Sequence, residues 1–262
     1  MRDFDYKKSL GQNFLKDQNV INKISNSVNP SKEDLIIEIG PGAGALTKEL
    51  VKKNCDVICF EIDTRLEEKL NKIKETNDNL KIVFQDFLKV NINEYIDSNK
   101  YNNIYFVGNL PYYITTAIIN KIVSESNPYE ITIMVQKEVA ERFAAKPSTR
   151  DYGSISVFLQ YNFNIETVCI VNKNCFEPVP KVDSAVIKLK TTNKYKEIVT
   201  NEEKLYKLIK DSFTHKRKNL RNNLINYDQN RIQKILEKHN KNLTARAESL
   251  SIEEFIDISN NI

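Results

Sequence analysis

The sequence lacks the features that mark membrane, secreted and metal-binding proteins. No apolar run approaches the roughly 20 residues of a transmembrane helix, and the first residues, Met-Arg-Asp-Phe-Asp-Tyr, contain no apolar signal segment. The four cysteines form no CxxC pair, and the two histidines, His215 and His239, lie far from them in the sequence. We therefore expect neither a disulfide framework nor a metal site, but a cytoplasmic protein with reduced thiols.

Length and charge limit the possible domains and partners. A chain of 262 residues with 40% hydrophobic residues can form one α/β domain and a smaller second domain. From Lys190 to the last residue there are 15 Lys and Arg against 10 Asp and Glu, a surplus of five, although the whole chain carries only +4. This asymmetry favours an anionic partner for the C-terminal part, and nucleic acid over membrane.

A glycine turn follows an early apolar run. Leu35–Ile39 is typical of a buried parallel strand, and it leads directly into Gly40-Pro-Gly-Ala-Gly, after which a helix is predicted over 45–53. In such a unit the backbone and a helix N-terminus come close to a ligand. The next apolar run ends at Glu61, 21 residues after Gly40, where a carboxylate suits ribose hydroxyls. Together these features predict a site for a nucleoside-containing cofactor.

Strands and helices alternate up to about residue 145, which indicates a doubly wound parallel sheet. The later predicted strands are Val57–Phe60, Lys81–Gln85, Ile104–Gly108 and Ile131–Val135, and the helices between and after them span 64–75, 92–96, 115–124 and 137–145. Ligands of such sheets bind beyond the carboxyl ends of the strands. Asp86 and Asn109, which follow two of the strands, therefore join Gly40 and Glu61 as candidate ligand residues.

The sequence Asn109-Leu110-Pro111-Tyr112 ends one of these strands. Proline cannot continue a central strand, and it holds Leu110 extended, so that the Leu110 carbonyl and the Asn109 side-chain oxygen point outward. Two acceptors beside an aromatic ring suit a flat base with an exocyclic amine: the ring of Tyr112 stacks on the base, and the acceptors bind the two amine hydrogens. A strand-terminating turn with a core tyrosine is the alternative interpretation.

The pattern changes after Pro147. Ile155–Tyr161, Asn164–Val171 and Ser184–Lys190 are predicted as strands without long helices between them, so that the sheet ends with an antiparallel pair. The proline-stiffened segment 176–183 places Phe176 near the ligand edge. From about residue 201 the apolar spacing predicts helices, together with a basic run. Candidate phosphate contacts are Lys216, Arg217, Lys218 and Arg221, with Lys7 and Lys8; a solvated helix face is the alternative.

Several longer motifs occur together in one order. They are Ser9-Leu-Gly-Gln-Asn-Phe-Leu15, Glu38-Ile-Gly-Pro-Gly-Ala-Gly-Ala-Leu-Thr47, Asn109-Leu-Pro-Tyr-Tyr-Ile-Thr-Thr116, Gln136-Lys-Glu-Val-Ala-Glu-Arg142, Asp151-Tyr-Gly153 and the segment 176–186. With these motifs the chain resembles the ribosomal RNA adenine N6,N6-dimethyltransferases, in particular those that act on small-subunit RNA. The resemblance spans essentially all 262 residues.

The resemblance implies a fold and an activity. The implied fold is α/β: a Rossmann-like S-adenosylmethionine-dependent methyltransferase sheet with an antiparallel last strand over residues 1–191, and a small all-α RNA-binding domain over residues 192–262. The implied reaction is dimethylation of N6 of two adjacent adenosines in a loop near the 3′ end of 16S RNA, with a role in small-subunit biogenesis. We expect small-subunit ribosomal RNA or a pre-30S particle as partner, and a monomeric enzyme.

The resemblance also implies roles for individual residues. The implied cofactor-binding residues are Asn13, Leu15, Gly40, Gly42, Glu61, Asp86 and Asn109; the catalytic residues are Asn109, Leu110, Pro111 and Tyr112; the RNA-binding residues are Tyr113, Phe176, Lys216, Arg217, Lys218 and Arg221. Asn13 and Leu15 close over S-adenosylmethionine, and Asp86 meets its adenine amine. Ala117 stands where many relatives carry proline, but a helix starts there in either case.

Three other interpretations compete with this one. Macrolide-resistance methyltransferases act on 23S (large-subunit) RNA and share the fold, but they tend to carry Ile-Pro-Tyr-Asn where this chain has Leu-Pro-Tyr-Tyr. The second alternative is a non-catalytic ribosome assembly factor. The complete set of ligand residues argues against it. A DNA adenine methyltransferase fits the basic tail and the motifs poorly.

Overall fold

The computed structural model describes residues 13–97 and 99–262, so Lys7 and Lys8 lie outside the described residues. The described chain divides into two compact units. One runs from the start of the described residues to Ala140 and includes Glu166–Lys190, and the other consists of Glu141–Ile165 and Thr191–Ile262. The chain passes from one unit to the other for the last time at 190/191, next to the predicted domain boundary at 191/192, whereas residues 141–165 group with the C-terminal helices. The functions assigned to the two domains stay predictions.

The first unit contains most of a seven-stranded sheet. The strands are β1 (Phe14–Leu15), β2 (Leu35–Ile39), β3 (Asp56–Phe60), β4 (Leu80–Val83), β5 (Ile104–Asn109), β6 (Glu130–Gln136), β7 (Phe163–Val171), β8 (Phe176–Glu177) and β9 (Ser184–Thr191). The large sheet has the order β4-β3-β2-β5-β6-β9-β7, and β1 pairs separately with β8. β2 to β6 are parallel, and β9 is antiparallel to β6. The predicted parallel sheet with an antiparallel last strand is confirmed.

The helices follow the predicted alternation, with shorter bounds in several places. They are α1 (Gln18–Ser27), α2 (Thr47–Leu50), α3 (Glu67–Lys74), α4 (Thr115–Glu125), α5 (Lys137–Phe143), α6 (Ser154–Asn162), α7 (Glu202–Ser212), α8 (Leu220–Asn223), α9 (Gln229–Lys238) and α10 (Ile252–Asn261). Side-chain caps start several of them: Asp17, Asn201, Asn219, Asp228 and Ser251 each accept a bond from backbone N–H groups of the first turn.

The register of the central strands positions the site. Ile39 at the end of β2 lies opposite both Phe60 of β3 and Gly108 of β5. All five residues of β2 are buried, so this strand forms the centre of the core. The residues that directly follow these three aligned positions therefore lie at the same edge of the sheet. These residues are Gly40, Glu61 and Asn109.

One predicted strand is wrong. Ile155–Tyr161 lies in helix α6, which begins after Gly153. All of its apolar residues except Leu159 are β-branched or aromatic, which favours a strand locally. Contacts with the end of α5 reverse that preference. The Ser156 hydroxyl donates to the Arg142 carbonyl, and the Gln160 amide donates to the carbonyls of Phe143 and Ala145. A helix brings both polar side chains to these acceptors, and the local sequence does not contain that information.

The second unit has its own apolar core. The predicted helical spacing is confirmed in α7, α9 and α10, where Leu205, Leu208, Ile232, Leu236 and Phe255 are fully buried. The basic run lies mostly between two helices. Residues 213–219, which include Lys216, Arg217 and Lys218, form turns between α7 and α8. The fourth predicted phosphate contact, Arg221, lies on α8. Both interpretations of this run, phosphate contacts and a solvated surface, stay predictions.

Candidate active site

A cavity of about 370 Å³ opens at the carboxyl ends of the parallel strands. Its lining includes all seven residues predicted to bind the cofactor: Asn13, Leu15, Gly40, Gly42, Glu61, Asp86 and Asn109. Leu110, Pro111, Tyr112 and Tyr113 line it as well. The structure thus brings together residues from the N-terminal segment and from four strand ends. Its size suits a nucleoside-containing ligand, since small-molecule sites span roughly 300–1,000 Å³.

The glycine turn needs glycine for two separate reasons. Gly40, Gly42 and Gly44 all have positive φ (70°, 59° and 80°), a conformation that other residues adopt at a cost. A Cβ on Gly42 would also lie 2.7 Å from the ring of Phe14, which packs over the turn. The predicted helix is shorter than expected, because α2 begins only at Thr47. Residues of the turn, which precedes this helix, themselves line the cavity.

Glu61 is held by backbone donors at the end of β3. One carboxylate oxygen accepts from the N–H of Gly42 at 2.9 Å, and the other accepts from the N–H of Asp63 at 2.8 Å. The side chain is buried, which raises the pKa of its carboxyl, while the two backbone donors oppose that rise. Glu61 thus ties the glycine turn to the neighbouring strand and fixes an acceptor at the cavity wall.

Asp86 lies three residues beyond the end of β4. Its carboxylate accepts from the N–H of Leu88 at 3.0 Å, which closes a tight turn. Phe87 and Leu88 line the cavity beside it, as does Ile62, which is 52% exposed. Apolar side chains next to a carboxylate can hold a flat heterocycle and one of its donors. The sequence analysis did not single out these apolar residues.

The orientation of the Asn109 amide follows from one contact. Its Nδ2 donates to the backbone carbonyl of Asn13 at 2.8 Å. Because a carbonyl can only accept, this bond requires the nitrogen on that side, and the side-chain oxygen must face the other way. Among the described residues this oxygen accepts no hydrogen bond. The predicted acceptor is therefore available, and the N-terminal segment sets its direction.

Tyr112 is held at its hydroxyl rather than through its ring. Its Oη lies 2.8 Å from the Oγ of Ser184, the buried first residue of β9. Burial raises the pKa of the Tyr112 hydroxyl, so it stays protonated at neutral pH. The neighbouring Tyr113 is 68% exposed. Ser184, which the sequence analysis did not single out, thus fixes one end of the predicted stacking ring.

Phe176, a predicted RNA contact, is buried beside the N-terminal segment. It is 2% exposed and belongs to the core of the first unit, while β8 pairs it with Leu15 of β1. It is absent from the described lining of the cavity. An ion pair between Lys16 and Glu177 adds to the β1–β8 pairing. Phe176 thus packs against the N-terminal segment, and its contact with RNA stays a prediction.

Glu38 is a site residue that the sequence analysis did not identify. It lies in β2, is 1% exposed and lines the cavity. Its Oε2 accepts from the Thr47 hydroxyl at 2.7 Å and from the Cys59 thiol at 3.2 Å. Burial raises the pKa of this carboxyl to about 7, while those two donors partly oppose the rise. The only sequence signal is its position two residues before the glycine turn.

The raised pKa of Glu38 predicts a pH-dependent stability. The folded protein keeps a proton that the unfolded chain loses at a pKa near 4.5, so the free energy of unfolding falls as pH rises from about 4.5 to about 7. Between pH 5 and pH 8 this amounts to about 2–3 kcal/mol. In Glu38→Gln we expect a correspondingly smaller fall, measured by urea unfolding at both pH values. Equal pH dependence in the two proteins would contradict the assignment.

The predicted phosphate contacts form an exposed cationic segment in the second unit. Lys216, Arg217, Lys218 and Arg221 are all exposed. The Lys216 ammonium donates to the carbonyl of Arg150 at 2.9 Å, which brings another basic side chain to the same surface. The described residues contain no helix long and apolar enough to span a membrane. They also contain no cluster of side chains able to hold a metal ion.

The parallel sheet, with its glycine turn and carboxylate at one edge, defines a Rossmann-like fold with a site suited to a nucleoside-containing ligand. The profile of the family described as "Ribosomal RNA adenine dimethylase" matches residues 3–262. The chain belongs to this family.

Named relatives and solved structures agree with that assignment. The chain is 44% identical to a "Ribosomal RNA small subunit methyltransferase A" of Bacillus pumilus, and 42% identical to one of Bacillus cytotoxicus; each match covers 98% of this chain and 91% of the relative. The crystal structure of the 23S rRNA methyltransferase ErmE is similar, with a TM-score of 0.73 and 27% identity, covering 95% of this chain and 99% of that one. A dimethyladenosine transferase from Plasmodium falciparum shares the fold (TM-score 0.77, 24% identity, 94% and 95% covered).

Proposed function

We propose that this protein transfers methyl groups from S-adenosylmethionine to N6 of two adjacent adenosines in small-subunit ribosomal RNA. Identity of 44% over 98% of the chain, to a relative named for the small subunit, carries the proposal. The similarity to the 23S enzyme is lower, at 27%. The Leu-Pro-Tyr-Tyr sequence at residues 110–113 points in the same direction. The partner is the small-subunit RNA or its precursor particle.

The cavity fits S-adenosylmethionine in size and in charge. Its described lining carries three carboxyl groups, those of Glu38, Glu61 and Asp86, and no Lys, Arg or His. Such a site suits a ligand with net positive charge. In this proposal Glu61 binds the ribose hydroxyls, Asp86 binds the adenine amine, and the glycine turn receives the amino-acid part. When bound, S-adenosylmethionine supplies an electrophilic methyl group on a sulfonium sulfur.

Asn109 and Leu110 act on the target amine. The nitrogen lone pair of an adenine amine is delocalised into the ring, and positive charge develops on this nitrogen as it reacts. The Asn109 side-chain oxygen and the Leu110 carbonyl, which accept no hydrogen bond from the described residues, can bind its two hydrogens and stabilise that charge. Their fixed positions also orient the lone pair. A general base is unnecessary, since the proton can leave after transfer.

Tyr112 holds the base, which must leave its stack to enter the site. Stacking on an aromatic ring contributes about 1–3 kcal/mol per base. The hydroxyl bond to Ser184 restrains the ring, and in this proposal the face of the ring lies beside the two acceptors. Adenosines in loops cost less to unstack than those in helices, which favours a structured RNA with exposed adenosines.

The exposed cationic segment of the second unit provides the phosphate contacts in this proposal. Replacing Lys216, Arg217 and Lys218 by glutamine removes three positive charges. We expect weaker binding of small-subunit RNA, and a log–log salt dependence whose slope is lower in magnitude by about 2. Filter binding or fluorescence anisotropy across a salt series measures both quantities.

A matched control lies on α9 of the same unit. Arg231, Lys234 and Lys238 are also one arginine and two lysines, and all three are exposed. Their triple glutamine variant has the same change in net charge, so it corrects for long-range electrostatics. If the slope of the salt dependence fell equally in the two triple variants, Lys216, Arg217 and Lys218 would belong to an ordinary solvated surface and would not be specific phosphate contacts.

The substrate is tested by mapping methylated nucleotides. Purified protein and S-adenosylmethionine are incubated with unmodified small-subunit particles, with naked small-subunit RNA and with large-subunit RNA, and digests are analysed by mass spectrometry. We expect two adjacent N6,N6-dimethyladenosines in small-subunit RNA. Methylation confined to large-subunit RNA would establish the macrolide-resistance activity instead. Binding of S-adenosylmethionine without methylation of any RNA would favour an assembly factor.

A further inference from the structure

Glu38 has one satisfied and one unsatisfied carboxylate oxygen. Thr47 of α2 and Cys59 of β3 both donate to Oε2. Within the described part of the chain, Oε1 has no hydrogen-bond partner, although the side chain is 1% exposed and lines the cavity. Two donors on one oxygen fix the carboxyl plane. The second oxygen is therefore held in place for a group inside the cavity.

The surroundings of Glu38 disfavour its negative charge while the cavity holds no cation. Cys59 and Glu61, both from the β3 side, are the titratable groups that face it, and Glu61 acts by like-charge repulsion. The facing residue of β5 is Val107, and α1 contributes only Ile21 and Ile24 to the cavity. Burial among apolar side chains favours the neutral acid. A cation in the cavity reverses this preference.

We propose that Glu38 binds the cationic cofactor by giving up a proton, so that S-adenosylmethionine binding and Glu38 ionisation are coupled. The inference rests on the proposed cofactor. In the coupled step the Glu38 O–H bond breaks, its proton goes to solvent, and the carboxylate left behind neutralises the positive charge of the ligand. The demethylated product, S-adenosylhomocysteine, lacks the sulfonium charge. Binding of S-adenosylhomocysteine should therefore release less of the Glu38 proton, and Glu38 should stay mostly neutral in that complex.

The coupling has a definite pH dependence. A ligand that lowers the pKa of Glu38 binds more tightly as pH rises, by up to about tenfold per pH unit below pH 7, and levels off above it. Around neutral pH the free carboxyl is partly protonated, so binding releases a fraction of a proton from Glu38, and this fraction grows as the pH falls below 7. The number of protons released by the cofactor and by the product therefore differs most below pH 7.

Titration calorimetry of the full chain tests the coupling. S-adenosylmethionine and S-adenosylhomocysteine are each titrated at pH 6 and pH 7 in two buffers of different ionisation enthalpy, which gives the number of protons released. We expect more protons released by the cofactor than by the product, with the difference lost in Glu38→Gln. Thr47→Val removes a donor to the ionised form, so it should move the pH midpoint of release upward.

A second readout covers a Glu38→Gln variant that fails to bind or fold. In wild-type protein with ¹³C-labelled glutamate carboxyls, one carboxyl signal with a pKa near 7 should move to the ionised position when S-adenosylmethionine is added. Tight cofactor binding with no proton release and no such signal change would overturn the coupling but leave the proposed function intact. Absence of cofactor binding would overturn both.

Discussion

Replacing Asn109 by alanine is expected to lower kcat for adenine methylation by about 10²–10³-fold, the loss seen when one fixed polar group is removed from a developing charge. The alanine variant removes the oxygen that faces the cavity and the amide that donates to Asn13. Single-turnover assays with unmodified small-subunit particles measure the loss. Affinity for S-adenosylmethionine, measured by calorimetry, should fall far less, because Glu61 and Asp86 remain.

Two further variants separate this role from a structural one. Asn109→Asp keeps an acceptor but cannot donate to the Asn13 carbonyl, so it should be nearly as impaired as Asn109→Ala. Tyr112→Phe keeps the stacking ring and loses only its hydroxyl bond to Ser184, so its loss of activity should be much smaller. Near-normal turnover in Asn109→Ala would show that the side-chain oxygen does not stabilise the reacting amine.

Gly108→Ala is expected to destabilise the protein by about 3 kcal/mol. A Cβ at this position would lie 2.6 Å from the carbonyl oxygen of Ile39 in β2 and 3.0 Å from the Leu110 side chain. The first of these contacts is backbone in the middle of the sheet, so it cannot move away without separating β2 from β5. Urea unfolding gives the change in free energy, and the strand ends that carry Gly40 and Asn109 should be displaced.

Gly153→Ala is the matched control for that variant. Nothing lies within 4 Å of a Cβ at Gly153, and its φ of −159° is accessible to any residue. As the residue preceding α6, it should tolerate alanine at a cost of about 1 kcal/mol or less. If the two alanine variants were equally stable, the close approach of β2 to β5 would not explain the glycine at 108.

Much of the fold was predictable because its signals are local. The apolar runs that became β2, β3, β5 and β6 are short, β-branched and followed by turn residues, and the alternation with helices implies a parallel sheet. That topology alone predicts that Gly40, Glu61 and Asn109 meet at one edge. The site was therefore predictable wherever a ligand residue directly follows a strand.

The missed features depend on contacts between distant segments. Helix α6 is fixed by polar side chains that reach the end of α5. Phe176 is buried because β8 pairs with β1. A strand of only two residues has no sequence pattern from which it could be predicted. The role of Glu38 depends on Thr47 and Cys59 converging on one oxygen. Spacing along the sequence does not specify such convergence.

The most direct test is a structure of the protein with S-adenosylhomocysteine and an RNA that presents the target adenosine. The account predicts the adenine amine within hydrogen-bond distance of both the Asn109 side-chain oxygen and the Leu110 carbonyl, with the base stacked on Tyr112. An amine bound by other acceptors, or a base that lies outside the cavity while the cofactor product occupies it, would contradict the account.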